Sequence, residues 1–107
     1  MHQIEIEYEG NLRTSAIHLQ SGNRIITDAP SDNEGRGEAF SPTDLVASAL
    51  GSCILTILGI LSERNRINIK GARCKITKVM DKSPRKISKI VVDIIFPEKL
   101  SPKNQKL

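Results

Sequence analysis

Between Leu45 and Leu61 the chain carries no charge. Apolar residues occupy every side of that run rather than one stripe, which is the pattern of a helix covered all round. Its start is sharply marked. Ser41 can N-cap, Pro42 suits the first helical position, and Asp44 falls at N3, where an acid closes a capping box and faces the positive end of the dipole. The spacing predicts a helix from Ser41 to Arg64, ended by Asn65-Arg66. Ala47, Gly51 and Gly59 form a row of small residues at spacing four, and Ser48, Ser52 and Thr56 form a second. Glycine costs roughly 1 kcal/mol inside a helix, so two of them predict another backbone lying very close. The uncharged run is at the lower limit for crossing a bilayer. Soluble-type capping and the alternating flanks favour a buried core helix over a membrane span.

Such a helix asks more of the chain than 107 residues readily supply. One small domain spanning 1–107 is expected. Two Phe, one Tyr and no Trp leave the core to Ile, Leu and Val. A core of that size covers a fully apolar helix poorly, so a homodimer is expected.

The flanks read as strands. Ile4, Ile6 and Tyr8 alternate with Glu5, Glu7 and Glu9, giving one face to bury. Gly10-Asn11 signals a turn and Leu12–Leu19 the return strand. There Arg13 shares a face with Ile17 and Leu19, which is costly unless it finds a partner or snorkels from the strand end. His18 lies on the other face with Thr14 and Ala16 and reads as a surface or hydrogen-bonded residue. A short third strand, Arg24–Thr27, precedes a loop from Asp28 to Phe40 that is long enough to be functional. After the helix, Ile69–Met80 and Ile87–Phe96 alternate again. Ala72, Cys74, Ile76 and Met80 share one face, and Lys82-Ser83-Pro84-Arg85 makes the turn. Ser101-Pro102 repeats the opening of a helix. The expected class is α+β, an antiparallel sheet wrapped around a long buried central helix.

Charge is divided unevenly. Residues 1–44 hold eight acids and three bases, and residues 45–107 four acids and thirteen bases. The basic half lacks an aromatic platform, and its bases are spread along strands, so edge protection is a better reading than nucleic-acid binding. The opening residues have neither the basic region nor the apolar run of a signal peptide. Two cysteines without a pairing pattern then suggest free thiols in a reducing, cytoplasmic setting.

Cys53, near the middle of the helix, is the residue with the most chemistry. Cys53, Cys74, His2 and His18 lie too far apart in sequence for a metal-site signature, and no cofactor motif is present. No hydrolase signature occurs. Thiol redox chemistry and inert burial remain. Asp44 lies on the opposite face of the helix from Cys53 and roughly 13 Å away along the axis. A thiolate would therefore need a cation from elsewhere, and Arg13, Arg24 and Arg36 are the candidates.

The run Phe40–Thr56, F-S-P-T-D-L-V-A-S-A-L-G-S-C-I-L-T, resembles the core motif of the OsmC/Ohr family of thiol peroxidases. Ser21–Ala39 is similar to its OsmC-like branch, and Arg66–Met80 with the following strand also fits. The resemblance implies an intertwined homodimer with its central helices packed together. It also implies reduction of organic hydroperoxides by Cys53, which becomes a sulfenic acid. An arginine, for which Arg13 is a looser match, and an acid in the first helical turn would organise the site. Thr43 stands where many members have glutamate, with Asp44 beside it. The second, resolving cysteine of the family belongs to a later helix that this chain would lack, so an external thiol would serve as reductant. Cys74 reads as core. The alternative is a non-catalytic stress or ligand-binding protein with the same fold.

Overall fold

The computed structural model describes residues 1–97. Five strands and one long helix follow in order: β1 (Ile4–Gly10), β2 (Arg13–His18), β3 (Arg24–Asp28), a 3-10 turn at Ser31–Asn33, α1 (Pro42–Arg64), β4 (Arg73–Lys82) and β5 (Arg85–Ile95). They form two compact units, Met1–Leu45 and the chain from Val46 onward. The class is α+β with two antiparallel sheets, one of three strands and one of two. The short helix expected to open at Ser101-Pro102 lies outside the described residues.

In the first unit β2 is central, flanked by β1 and β3. Its register sets Ile6 beside Ala16 and Ala16 beside Ile25, with Tyr8, Thr14 and Thr27 in the next row. This face carries the apolar residues of β1. The opposite face sets Glu5 beside Ile17 and Arg24, Glu7 beside Ser15 and Ile26, and Arg13 opposite Asp28. Arg13 does share a face with Ile17. However, β1 fills that face with glutamates, so it is the more polar of the two. Leu19 lies beyond β2, where its amide donates to the Gln3 carbonyl at 3.0 Å. The third strand runs one residue further than expected, through Asp28.

The β1–β2 turn is tight. Gly10, Asn11 and Leu12 have φ of +88°, +54° and +62°. A bulky residue such as Leu12 in this region costs on the order of 1–3 kcal/mol and persists only when its surroundings fix it. Here they do: Leu12 N–H donates to Tyr8 Oη at 3.2 Å, and its carbonyl accepts from Ala29 N–H at 3.0 Å. The second of these bonds attaches the 28–40 loop to the turn. Gly37 N–H then donates to the Ala29 carbonyl at 3.2 Å, and Asp28 N–H to the Phe40 carbonyl at 3.1 Å. At Gly35 the backbone runs so close to Ala29 that a Cβ would overlap the Ala29 carbonyl.

The second unit holds the rest of α1 and the β4–β5 hairpin. β4 begins at Arg73, later than the alternation from Ile69 indicates. Asn68 Oδ1 accepts from Lys70 N–H at 2.8 Å, Ala72 N–H donates to Ile69 at 2.9 Å, and Gly71 takes φ +96°. These bonds make a turn of residues that could otherwise extend. Cys74, Ile76, Lys78 and Met80 form the half-buried face of β4, and a bulge at Val79/Met80 brings Met80 opposite Ile87.

Gly51 is buried under this face. A Cβ there would stand 2.8 Å from Ile76 Cδ1 and 3.0 Å from Cys74 Sγ. The close neighbour is therefore a pair of side chains rather than a second backbone, and Gly59 has nothing within 4 Å among the described residues. The expectation of burial all round is not met within the chain. Of the residues of α1 only Ala47 and Gly51 are fully buried. Val46 is 56% exposed and Ile57 52%, with Leu50, Ile60 and Leu61 exposed as well. The apolar face of β1 is likewise open, Ile6 reaching 66%. The described residues cover one side of the helix only. By length and composition α1 is also apolar enough to cross a membrane.

The approach at Gly51 sets a stability test. Gly51→Val forces Ile76 and Cys74 aside and should cost about 1–3 kcal/mol by overpacking. Adding Cys74→Ala should return part of that loss in urea unfolding, because the two sites touch.

Candidate functional site

Helical geometry decides which way Cys53 faces. Gly51, two residues earlier, meets the β4 side chains. Two residues turn a helix by about 200°, so Cys53 projects from the opposite side. It is exposed and free. Val46, Leu50, Cys53, Ile57 and Ile60 are all exposed. They follow one another at alternating steps of four and three, a seam of the coiled-coil kind. The thiol therefore belongs to the uncovered apolar face of α1. Cys74, also free and half-buried, packs against Gly51 on the other side.

Arg13 has the partner that its position demanded. Its Nε–H donates to Asp28 Oδ1 at 2.7 Å and its Nη2–H to Asp28 Oδ2 at 2.8 Å, a bidentate pair across neighbouring strands. Asp28 has no exposed surface, while the Arg13 side chain keeps 25% of its own. The hydrogen bond from Arg13 holds the Asp28 carboxyl below the usual carboxylate range against the opposing effect of burial. The Glu38 amide and the Arg36 charge act in the same direction. Asp28 in turn raises the affinity of Arg13 for its proton. Sequence reasoning assigned Asp28 to the loop and missed it. The β2–β3 connection closes between His18 and Asn23, and that register places residue 28 opposite residue 13.

Asp44 has a structural position at the helix start. Its Oδ2 accepts from Ser41 N–H at 2.9 Å, and its own N–H donates to Ser41 Oγ at 3.1 Å. This is a reciprocal capping box. Thr43 Oγ1 lies 3.1 Å from Ser41 Oγ. His18 Nδ1 is 2.6 Å from Ser21 Oγ in the exposed second turn, a hydrogen-bonded surface histidine. Among the described residues no group of His, Cys, Asp and Glu could hold a metal ion. Asn11, Leu12, Glu34, Gly35 and Arg36 line an open cleft of about 480 Å³ in the first unit.

Residues 35–107 match the family model described as OsmC-like protein. The chain belongs to the OsmC-like family. The match spans the helix that carries Cys53, both strands of the second sheet and the end of the 28–40 loop. Among solved structures, a protein of Psychrobacter arcticus 273-4 aligns with a TM-score of 0.92 and 54% identity, over 99% of this chain and 77% of the other. That protein bears the proposed description of an osmotic stress induced and detoxification response protein. No curated protein matches this chain.

The Arg13–Asp28 pair has a defined pH signature. Asp28 is ionised in the fold at a lower pH than in the unfolded chain, so its stabilisation is present above the ordinary carboxylate range and is lost as acid protonates it. Arg13 stays charged throughout that range. Asp28→Asn should therefore be less stable than the native chain at neutral pH, with the gap closing in acid, as read by urea unfolding at both.

Proposed function

We infer that this chain is a soluble, cytoplasmic stress-defence protein that reduces organic hydroperoxides through Cys53. The observation that carries the reading is the free, exposed Cys53 thiol on the apolar face of α1, within the run that resembles the family's core motif. In the reaction Cys53 Sγ, as thiolate, attacks the outer oxygen of the hydroperoxide. The O–O bond breaks, the alkoxide takes a proton and leaves as an alcohol, and Cys53 becomes a sulfenic acid. An external thiol condenses with the sulfenic acid, releasing water and forming a mixed disulfide. A second thiol exchanges with that disulfide and restores Cys53. Arg13 supplies the cationic donor for the oxygen end of the substrate. Asp44 acts through the cap that fixes the first turn of the helix. Cys74, on the opposite side of α1, takes no part. No cofactor or metal enters this scheme.

The functional unit is a homodimer in this reading. The exposed seam of Val46, Leu50, Ile57 and Ile60 is an apolar stripe that water disfavours, and a second α1 offers the matching surface. An apolar seam around Cys53 also suits the organic part of a hydroperoxide.

Cys53→Ser should abolish consumption of an alkyl hydroperoxide in a thiol-coupled assay, and Cys74→Ser should leave it intact. Equal loss in the two variants overturns the assignment, and no consumption by the native chain favours a non-catalytic family member. Ile57→Glu should halve the mass seen by sedimentation equilibrium. A native chain that sediments as a monomer removes the dimer.

A further inference from the structure

The open cleft of the first unit has two walls from different segments. The β1–β2 turn supplies Asn11 and Leu12, and the 28–40 loop supplies Glu34, Gly35 and Arg36. Main-chain bonds set the walls in place. The Leu12 carbonyl accepts from Ala29 N–H at 3.0 Å, and Gly35 N–H donates to the Pro30 carbonyl at 3.0 Å. At about 480 Å³ the cleft has the size of a small-molecule site.

Its backbone is unusual. Four non-glycine residues among the described ones have positive φ, and three of them, Asn11, Leu12 and Glu34, line this cleft. Asparagine tolerates that region, whereas leucine and glutamate occupy it at a cost. Local structure asks for neither side chain. Asn11 and Leu12 stand between the paired residues Gly10 and Arg13, where a turn with positive φ at both positions favours glycine after asparagine. Glu34 closes the 3-10 turn as a left-handed cap, another place that favours glycine. At both positions the chain carries a long side chain, one apolar and one acidic, where glycine would fold more easily. Burial does not repay Leu12, which is 43% exposed. Residues held in this way gather at ligand clamps.

The charges of the cleft are also left open. Glu34 and Arg36 are exposed and opposite in sign, yet no ion pair joins either of them to a described residue. A carboxylate and a guanidinium kept apart can each hold one end of a ligand that carries both charges. Glu34 accepts from an ammonium, and Arg36 offers a fork of donors to a carboxylate. Leu12 adds an apolar contact between the two walls. We propose that the cleft binds a free α-amino acid with an apolar side chain, its ammonium on Glu34, its carboxylate on Arg36 and its side chain against Leu12. The site lies wholly within the first unit and is independent of the chemistry at Cys53.

The test titrates the full chain with L-leucine and follows backbone amide shifts by NMR. Saturable shifts are expected at residues 11, 12 and 34–36. N-acetyl-L-leucine lacks the ammonium and L-leucinamide lacks the carboxylate, and each should bind about tenfold or more weakly. Glu34→Gly removes the carboxylate from a position whose φ glycine takes freely, so the fold is kept. It should weaken L-leucine about tenfold or more and leave N-acetyl-L-leucine unchanged. Glu34→Gln, which keeps the length of the side chain, should do the same. Arg36→Gln should weaken L-leucine to a similar degree and leave L-leucinamide unchanged. A general loosening of the loop does not produce this crossed pattern: it weakens all three compounds in every variant, and that result overturns the proposal. So does the absence of saturable shifts, or equal binding of the three compounds by the native chain. Native affinity for L-leucine in both Glu34 variants or in Arg36→Gln overturns it as well.

Discussion

The structure depends on one imbalance: a helix with no charge from Leu45 to Leu61, of which the described residues cover one side. The covered side is built for contact. Gly51 removes side-chain bulk where Cys74 and Ile76 press in. The other side carries branched residues and Cys53 at seam spacing. Each fully buried side chain of this kind is worth roughly 1.5–3 kcal/mol, so leaving the stripe in water is a substantial cost. The same side holds the Cys53 sulfur, which links assembly and chemistry in the proposed function. Whatever covers the seam also defines the surroundings of the thiol.

Polar order in the first unit comes from a second, local source. The hairpin turn, the loop and the helix entry are held by backbone bonds that converge on Leu12, Ala29 and Phe40. The Asp28 carboxylate lies among them, hydrogen-bonded by Arg13 and the Glu38 amide. This explains how a loop rich in Gly, Asp and Asn takes a defined course although it has little apolar surface to bury. Its order comes from hydrogen bonds and one ion pair.

Much of this was legible in the residues. The capping box Ser41/Asp44 fixes the first turn by local chemistry alone, so the helix runs from Pro42 to Arg64 as its spacing indicates. Alternation identified β1, β4 and β5, because period two is imposed by the pleat, and the turn signals bracketed β2 and β3. The misses were of two kinds. Strand ends moved where local turn chemistry intervened, as at Asn68–Gly71, or where pairing ran on to Asp28. Partnership and burial were less legible because they depend on register and on what else is present. Arg13 called for a partner that only the strand pairing identifies. The exposure of Ile6 and Val46 depends on what covers their faces, which alternation does not record.

The crossing of Gly35 and Ala29 has a consequence for how such a chain can diverge. Elsewhere in the 28–40 segment exposed polar side chains can be exchanged at little cost, since most of the bonds that shape it are made by the main chain. At residue 35 the space beside the Ala29 carbonyl admits a hydrogen atom and no carbon. Descendants of this sequence are free to rewrite the wording around that position, but they inherit its punctuation.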